Sequence, residues 1–116
     1  VNMKLICKIL ERSNYIPLSA IHGKEALTIL KENPDILAIL MDCQMPVMDG
    51  FEATREIRRI KEYADLPVIA VTANVSEEDQ QRCHDVGMSD YLQKPVKRKL
   101  LESTLISWLE KSKLGT

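Results

Sequence analysis

A nearly uninterrupted apolar segment at positions 36–41 ends in an aspartate, Asp42. A strand that is apolar at every position is typical of a parallel sheet that is covered on both faces. Two later strand-like segments also end beside reactive side chains, Thr72 and Lys94. Because ligands of open parallel sheets bind just outside the carboxyl ends of the strands, the sequence predicts a carboxylate, a hydroxyl and an ammonium group at one edge. That set of groups suits a phosphoryl ligand.

Helical and strand-like patterns alternate along the chain, which is typical of βαβ units that build a parallel sheet. Apolar residues at helical spacing predict the helices, and short apolar segments bounded by turn residues predict the strands. The predicted elements, in chain order, are a helix with Met3, Ile6, Ile9 and Leu10 on its inner face, a strand at 16–21, a helix at 24–32, a strand at 36–41, a helix with Ala53, Ile57 and Ile60 on its core face, a strand from Val68, a helix from Ser76 to Gly87, a strand around Tyr91 and Leu92, and a final helix with Leu101, Leu105, Trp108 and Leu109 on its inner face. This order predicts a single α/β domain.

The helix that begins at Ser76 is poor in apolar residues. Residues 76–79 form a capping-box-like start, and Gly87 is placed to end the helix in the left-handed conformation. Cys83 and Val86 offer its clear core contacts. Two interpretations stay open: a helix with a large solvated face, or a helix held loosely enough to move, as signalling elements often are.

The composition fits one domain of ordinary size, with 116 residues of which 45% are hydrophobic. The 16 basic and 17 acidic side chains give a net charge of −1, which argues against nucleic acid binding by bulk electrostatics. No apolar stretch approaches the ~18 residues of a membrane span, and there is no signal-peptide pattern. Cys7, Cys43 and Cys83 are scattered and odd in number, which indicates reduced thiols in a cytoplasmic protein. His22 and His84 lack a neighbouring ligand at metal spacing, so we expect both to be ordinary surface residues.

The three reactive residues match the needs of phosphoryl transfer. An aspartate can attack phosphorus and carry a covalent aspartyl phosphate, which makes Asp42 the candidate acceptor. The reaction otherwise needs positioning and neutralisation of the phosphoryl oxygens. Lys94 supplies a positive charge, Thr72 a hydroxyl, and a divalent cation such as Mg²⁺ would bridge an oxygen to Asp42. Each residue alone has a structural explanation as a cap, a strand former or a solvated side chain, and only the combination is specific.

The run at 41–50, Met-Asp-Cys-Gln-Met-Pro-Val-Met-Asp-Gly, together with Thr72 and Lys94, resembles the receiver domain of two-component response regulators. It most resembles receivers attached to hybrid histidine kinases. The resemblance covers residues 1–116 and implies a flavodoxin-like, doubly wound parallel sheet with strand order 2-1-3-4-5. It also implies that Asp42 takes a phosphoryl group from a phosphohistidine donor and that the domain then switches conformation.

The same resemblance assigns roles to further residues. Thr72 and Lys94 become the phosphate partners, and Tyr91, three residues before Lys94, takes the aromatic switch position. Gln44 and Asn74 take the positions that tune dephosphorylation. The implied partner is a histidine kinase or a histidine phosphotransfer domain, and a homodimer is compatible with it. The domain would catalyse its own phosphotransfer and dephosphorylation, within a parent hybrid histidine kinase or response regulator.

One departure from the family pattern concerns the metal. Receivers begin with an apolar strand that ends in an acidic pair, whereas this sequence opens in a predicted helix. We therefore expect an N-terminally incomplete receiver whose first strand, between those at 16–21 and 36–41, is missing. Mg²⁺ would be left with Asp42 and the backbone carbonyl of Gln44 and would bind weakly.

Two alternatives come from other functional classes. A haloacid-dehalogenase-like phosphatase also places an aspartate after a buried strand, but it needs a second acid where Gln44 stands and an acidic pair after Lys94. A pseudo-receiver would recognise partners without phosphorylation. The missing acidic pair favours it, and the intact Asp42, Thr72 and Lys94 argue against it.

Overall fold

The computed structural model describes residues 2–12, 15, 17–18, 23–42, 50–73, 76–94 and 96–114, and the side chains at 2–5, 42 and 111–114 lie outside that description. The elements are helix α1 (Asn2–Arg12), helix α2 (Gly23–Glu32), strand β1 (Ile39–Asp42), helix α3 (Gly50–Arg59), a 3-10 helix (Lys61–Tyr63), strand β2 (Val68–Thr72), helix α4 (Glu77–Val86), strand β3 (Asp90–Gln93) and helix α5 (Arg98–Leu114).

Within the described residues, three strands form one parallel sheet in the order β1-β2-β3. Ile39 lies opposite Val68, and Ile69 lies opposite Asp90. Every residue of the central strand β2 is buried, as expected of a strand with apolar side chains on both faces. The prediction of an α/β fold around a parallel sheet is confirmed.

An apolar cluster lies on each face of the sheet. One cluster contains Leu30, Met41, Phe51, Ala53, Ile57, Val68, Ala70, Cys83, Val86 and Met88. The other contains Ile6, Ile9, Ile69, Val71, Leu92, Val96, Leu101 and Leu105. The side chains of β2 alternate between the two clusters, so α2, α3 and α4 cover one face while α1 and α5 cover the other. This is the doubly wound arrangement that the sequence predicts.

The start of β1 differs from the prediction. The apolar run predicts a strand from position 36, but pairing begins at Ile39, whose N–H donates to the Pro67 carbonyl at 2.8 Å. Leu37 precedes the strand and is 64% exposed. β1 begins where β2 begins, because residues 36–38 would have no neighbouring strand to accept or donate their backbone hydrogen bonds.

The predicted strand at 16–21 falls mostly outside the described residues. Its described members, Pro17 and Leu18, are not in a strand, so the prediction is wrong at those two positions. Pro17 has no N–H to give to a ladder, which is one reason for proline to be excluded from paired strand positions. Among the described residues, no strand precedes β1.

Helix α4 has the ends that the sequence predicts. The hydroxyl of Ser76 accepts a hydrogen bond from the Asp79 N–H at 3.3 Å, and Gly87 adopts the left-handed conformation with φ of 95°. Within this helix the buried residues are Cys83 and Val86.

Among the described residues, no helix combines the length and the apolar character that crossing a bilayer requires.

Candidate functional site

Three reactive residues lie at the carboxyl edge of the sheet. Asp42 is the last residue of β1, Thr72 is the last residue of β2, and Lys94 directly follows β3. The register places Asp42 opposite Val71 and Thr72 opposite Gln93. Since neighbouring strands lie about 4.8 Å apart, the three backbone positions span about 10 Å along one edge. The structure thus brings together the three positions that the sequence singles out.

The backbone joins two of these positions directly. The Lys94 N–H donates to the Thr72 carbonyl at 2.7 Å, which fixes the chain after β3 against the end of β2. Thr72 is 7% exposed, whereas Lys94 is half-buried. This edge therefore carries a buried hydroxyl on a short side chain and, next to it, a positive charge on a longer and more accessible side chain.

Tyr91 lies in β3, opposite Ala70. Because paired residues share a face of the sheet, Tyr91 lies on the face that carries α3 and α4, together with Ala70 and Thr72. The side chain is 38% exposed, so the ring is partly in water at the open side of this edge strand. Tyr91 and Thr72 thus lie on one face of the sheet, in neighbouring strands.

Asp90, which precedes Tyr91 in β3, links this strand to α5. The Trp108 indole N–H donates to Asp90 Oδ2 at 2.9 Å, and Asp90 Oδ1 accepts from the Tyr91 N–H at 2.8 Å. Sequence reasoning assigned Trp108 only an apolar role on the inner face of the helix. The signal it missed is the indole N–H, which usually finds a partner when the ring is partly buried.

Several predicted site residues are outside the described part of the chain. Gln44, Asn74 and the side chain of Asp42 belong to this group, and so does His22. His84 is described and is exposed on α4, as predicted. The described residues contain no group of three or more His, Cys, Asp or Glu side chains that could hold a metal ion.

Comparisons with known proteins identify the fold and the family. The response regulator receiver domain family matches residues 1–106. The hybrid signal transduction protein dokA of Dictyostelium discoideum is 41% identical over 116 residues, which cover 99% of this chain and 7% of dokA. The chain therefore spans a small part of that relative's length.

Two solved structures agree with this family. Chemotaxis protein CheY4 of Vibrio cholerae is 30% identical, with a TM-score of 0.84 over 90% of this chain and 86% of that one. The receiver domain of the sensor histidine kinase PA1611 of Pseudomonas aeruginosa, with a magnesium ion coordinated in its active site cleft, is 37% identical. Its TM-score is 0.80 over 94% of this chain and 88% of that one. With its doubly wound, flavodoxin-like parallel sheet, this chain belongs to the response regulator receiver domain family.

Proposed function

We propose that this receiver domain is the phosphoacceptor of a phosphorelay and that Asp42 takes a phosphoryl group from a phosphohistidine. The observation that supports it most is the meeting of Asp42, Thr72 and Lys94 at one strand edge, with the Lys94 N–H bonded to the Thr72 carbonyl at 2.7 Å. Sequence similarity to hybrid signal transduction proteins such as dokA points to the same relay chemistry.

The proposed step moves one phosphoryl group. An Asp42 carboxylate oxygen attacks phosphorus and forms the O–P bond while the N–P bond of the donor phosphohistidine breaks. The leaving imidazole keeps the electron pair of that bond and takes a proton from water. Lys94 neutralises charge on the transferring group, and the Thr72 hydroxyl donates to another of its oxygens. Most of the rate enhancement comes from this positioning, because the transition state of phosphoryl transfer is loose.

Mg²⁺ is the proposed cofactor, since the receiver domain of PA1611, a similar structure, has this ion in its active site cleft. The Asp42 carboxylate and the Gln44 carbonyl are oxygen donors of the kind that Mg²⁺ prefers, so they fit the ion in kind. When bound, Mg²⁺ would neutralise a phosphoryl oxygen. Because these residues provide a single carboxylate, we propose weak binding by this chain alone.

The proposed switch runs from Thr72 to Tyr91. Drawing the Thr72 hydroxyl toward a phosphoryl group would free space on the face that Tyr91 shares with it. The exposed ring of Tyr91 and the small side chain of Ala70 opposite support this, because the ring has room to turn inward. Gln44 and Asn74 are proposed to set the phosphoryl lifetime by positioning or obstructing water. The change would shift a pre-existing equilibrium toward the phosphorylated conformation.

The proposed partners are a histidine kinase or a histidine phosphotransfer domain in the cytoplasm. In-line transfer requires the donor imidazole and the Asp42 carboxylate to close on one phosphorus, so the docking surface must surround Asp42. By analogy with receivers, α1 is the proposed apolar contact, with Met3 as a candidate. The parent is proposed to be a hybrid histidine kinase or a response regulator, and homodimerisation belongs to the same proposal.

Incubation with acetyl phosphate and Mg²⁺, followed by intact-mass measurement, separates the proposal from its alternatives. A chain that gains one phosphoryl group and keeps it supports the receiver function. Repeated release of phosphate over many turnovers would indicate a phosphatase. An unchanged mass would indicate a pseudo-receiver that works without phosphorylation.

A further inference from the structure

The Asp90 carboxylate accepts hydrogen bonds from two different parts of the molecule. Its Oδ2 accepts from the Trp108 indole N–H of α5 at 2.9 Å, and its Oδ1 accepts from the backbone N–H of Tyr91 at 2.8 Å. Asp90 and Trp108 are both half-buried. Hydrogen bonds to a carboxylate are roughly twice as strong as those between neutral groups. One side chain therefore ties α5 to the backbone of Tyr91.

Asp90 and Tyr91 are neighbours in β3, and their side chains lie on opposite faces of the sheet. Asp90 is opposite Ile69, which belongs to the cluster that α1 and α5 cover. Tyr91 is opposite Ala70, which belongs to the cluster that α2, α3 and α4 cover. Trp108 packs against the first of these clusters. The two hydrogen bonds of Asp90 thus form a path across the sheet, from the indole on one face to the tyrosine on the other.

The Tyr91 N–H points away from β2. Successive N–H groups of a strand alternate in direction, and the Lys94 N–H, three positions later, donates to the Thr72 carbonyl of β2. The Tyr91 N–H therefore faces the open side of β3, which lies at the edge of the sheet among the described strands. Asp90 Oδ1 supplies there the acceptor that an inner strand takes from its neighbour. A side chain thus holds the peptide that joins Asp90 to Tyr91.

The orientation of this peptide bears on the ring of Tyr91. The bond to Asp90 Oδ1 restrains the φ angle of Tyr91, and the rotamers open to a side chain depend on the φ and ψ angles of its residue. The ring is 38% exposed, so packing restrains it less than it restrains a core side chain. A shift of the Trp108 indole can therefore reach the ring through Asp90, and the ring can act on the indole by the same path, since such coupling is reciprocal.

We propose that Asp90 and Trp108 are positioning residues for Tyr91: the carboxylate couples the orientation of the tyrosine ring on one face of the sheet to the indole of α5 on the other. The coupling is a property of the unphosphorylated chain. Its response to phosphorylation of Asp42 rests on the proposed function. Trp108 is the single tryptophan of the sequence, so tryptophan fluorescence reports on this indole alone.

NMR of the unphosphorylated chain tests the coupling from the side of α5. Trp108→Phe keeps an aromatic ring but loses the N–H donor. We expect the ring resonances of Tyr91 to shift and its amide to exchange about fivefold faster, because the Asp90 carboxylate loses one of its two bonds. Glu110→Ala is the matched control. It removes an exposed carboxylate from the same helix, two positions after Trp108, and should leave the signals of Tyr91 unchanged.

Two substitutions of Asp90 extend this test. Asp90→Ala removes both acceptor atoms and should move the Tyr91 resonances further than Trp108→Phe does. Asp90→Asn has one acceptor oxygen in place of two, so it should give a smaller shift, and it serves as the variant of choice if Asp90→Ala does not fold. The coupling would be overturned if Trp108→Phe and Asp90→Asn both left the Tyr91 signals as they are in Glu110→Ala.

Tryptophan fluorescence tests the coupling in the other direction. Tyr91→Ala removes the ring on the far face of the sheet and releases the φ angle of residue 91, so we expect the emission maximum of Trp108 to shift. Tyr91→Phe keeps the ring and should shift it less. If Trp108 only anchored α5, the loss of a ring on the opposite face would leave its emission unchanged, and that result would refute the coupling.

Beryllofluoride with Mg²⁺, used as the phosphoryl mimic, tests the link to the proposed function. It should shift the emission of Trp108 in the parent chain, and Tyr91→Ala should remove most of this shift. A shift of the same size in Tyr91→Ala, or a constant emission while the Tyr91 resonances move, would overturn the link. If the variants show the coupling in the unphosphorylated chain but beryllofluoride changes no signal, the coupling is supported and the proposed function is contradicted.

Discussion

The two edges of the sheet differ in what their residues do. At the amino edge, the Ser89 N–H donates to the Val68 carbonyl at 2.8 Å, and the Val68 N–H donates to Ser89 Oγ at 3.1 Å. The Arg58 guanidinium adds its carbonyl contacts to the same region. At the carboxyl edge, Asp42 and Thr72 end their strands with groups that suit a phosphoryl ligand. Among the described residues, the bonds of Arg58 and Ser89 thus lie at the amino edge, whereas Asp42, Thr72 and Lys94 lie at the carboxyl edge.

The difference separates residues that should act on stability from residues that should act on the proposed phosphoryl transfer. Loops that carry function are usually positioned by a rigid scaffold, and here the scaffold is tied at the end opposite the chemistry. Substitutions at the amino edge should therefore change stability more than phosphorylation. Substitutions at the carboxyl edge should do the reverse.

The largest expected effect on this comparison comes from Arg58→Ala. It removes three hydrogen bonds that a charged donor makes to half-buried carbonyls, so we expect a loss of about 3 kcal/mol in the free energy of unfolding. Urea denaturation measures it. Arg59→Ala, which loses one exposed ion pair with Glu56, should cost less than about 0.5 kcal/mol. Equal losses in the two variants would contradict the role of Arg58.

Gly87→Ala should have the next largest effect. A residue with a Cβ pays about 1–2 kcal/mol to adopt the left-handed conformation. The new methyl would also press on the Arg58 stem, so we expect a loss of about 2 kcal/mol in thermal or urea unfolding. The double variant with Arg58→Ala should lose less stability than the sum of the two single losses, because the Arg58 atoms that crowd the new methyl are gone. Strict additivity would show that the two residues act independently.

Lys94→Ala addresses the carboxyl edge. Loss of the ammonium should slow phosphorylation by acetyl phosphate by about tenfold or more, because a charge partner of the transferring group is removed. It should also weaken the coupling between phosphorylation and Tyr91, while unfolding free energy changes little. This role would be contradicted if Lys94→Ala were phosphorylated as fast as the parent and if phosphorylation moved the NMR resonances around Tyr91 by the same amount in both.

Trp108→Phe should have the smallest effect. The variant keeps most of the ring but loses the N–H that donates to Asp90, so we expect a loss of about 1 kcal/mol in the free energy of unfolding. The backbone of Tyr91, which also bonds Asp90, should show shifted amide resonances. Asp90→Asn is the comparison variant, since an amide oxygen can still accept from the indole. If the Phe variant were as stable as the parent, the bond would carry no net stabilisation.

Local rules predicted the parts of the fold that local chemistry decides. The Ser76 hydroxyl can cap the start of a helix, and Gly87, which has no side chain, can end one in the left-handed conformation. Both residues do this in α4, as the sequence predicts. The start of β1 could not be predicted, because it depends on where Pro67 of another segment lies. Arg58 and Arg59 look alike in the sequence. What separates them is the approach of Gly87, 29 positions away, and only the fold provides that contact.

The candidate site was predictable to the same limited degree. Asp42, Thr72 and Lys94 could be placed at one edge because each follows a strand-like segment, and parallel strands end together. The sequence could not predict the burial of Thr72 or the Lys94–Thr72 backbone bond, since both depend on how neighbouring strands pack. The roles of Gln44 and Asn74 stay predictions.

The central claim is that Asp42 is the phosphoacceptor, and intact mass tests it most directly. The parent chain and Asp42→Asn are incubated with acetyl phosphate and Mg²⁺, and each mass is recorded before and after hydroxylamine, which cleaves acyl phosphates. The Asn side chain is nearly isosteric, so the fold should persist. We expect the parent to gain one hydroxylamine-labile phosphoryl group and Asp42→Asn to gain none. A labile phosphoryl group on Asp42→Asn would contradict the assignment.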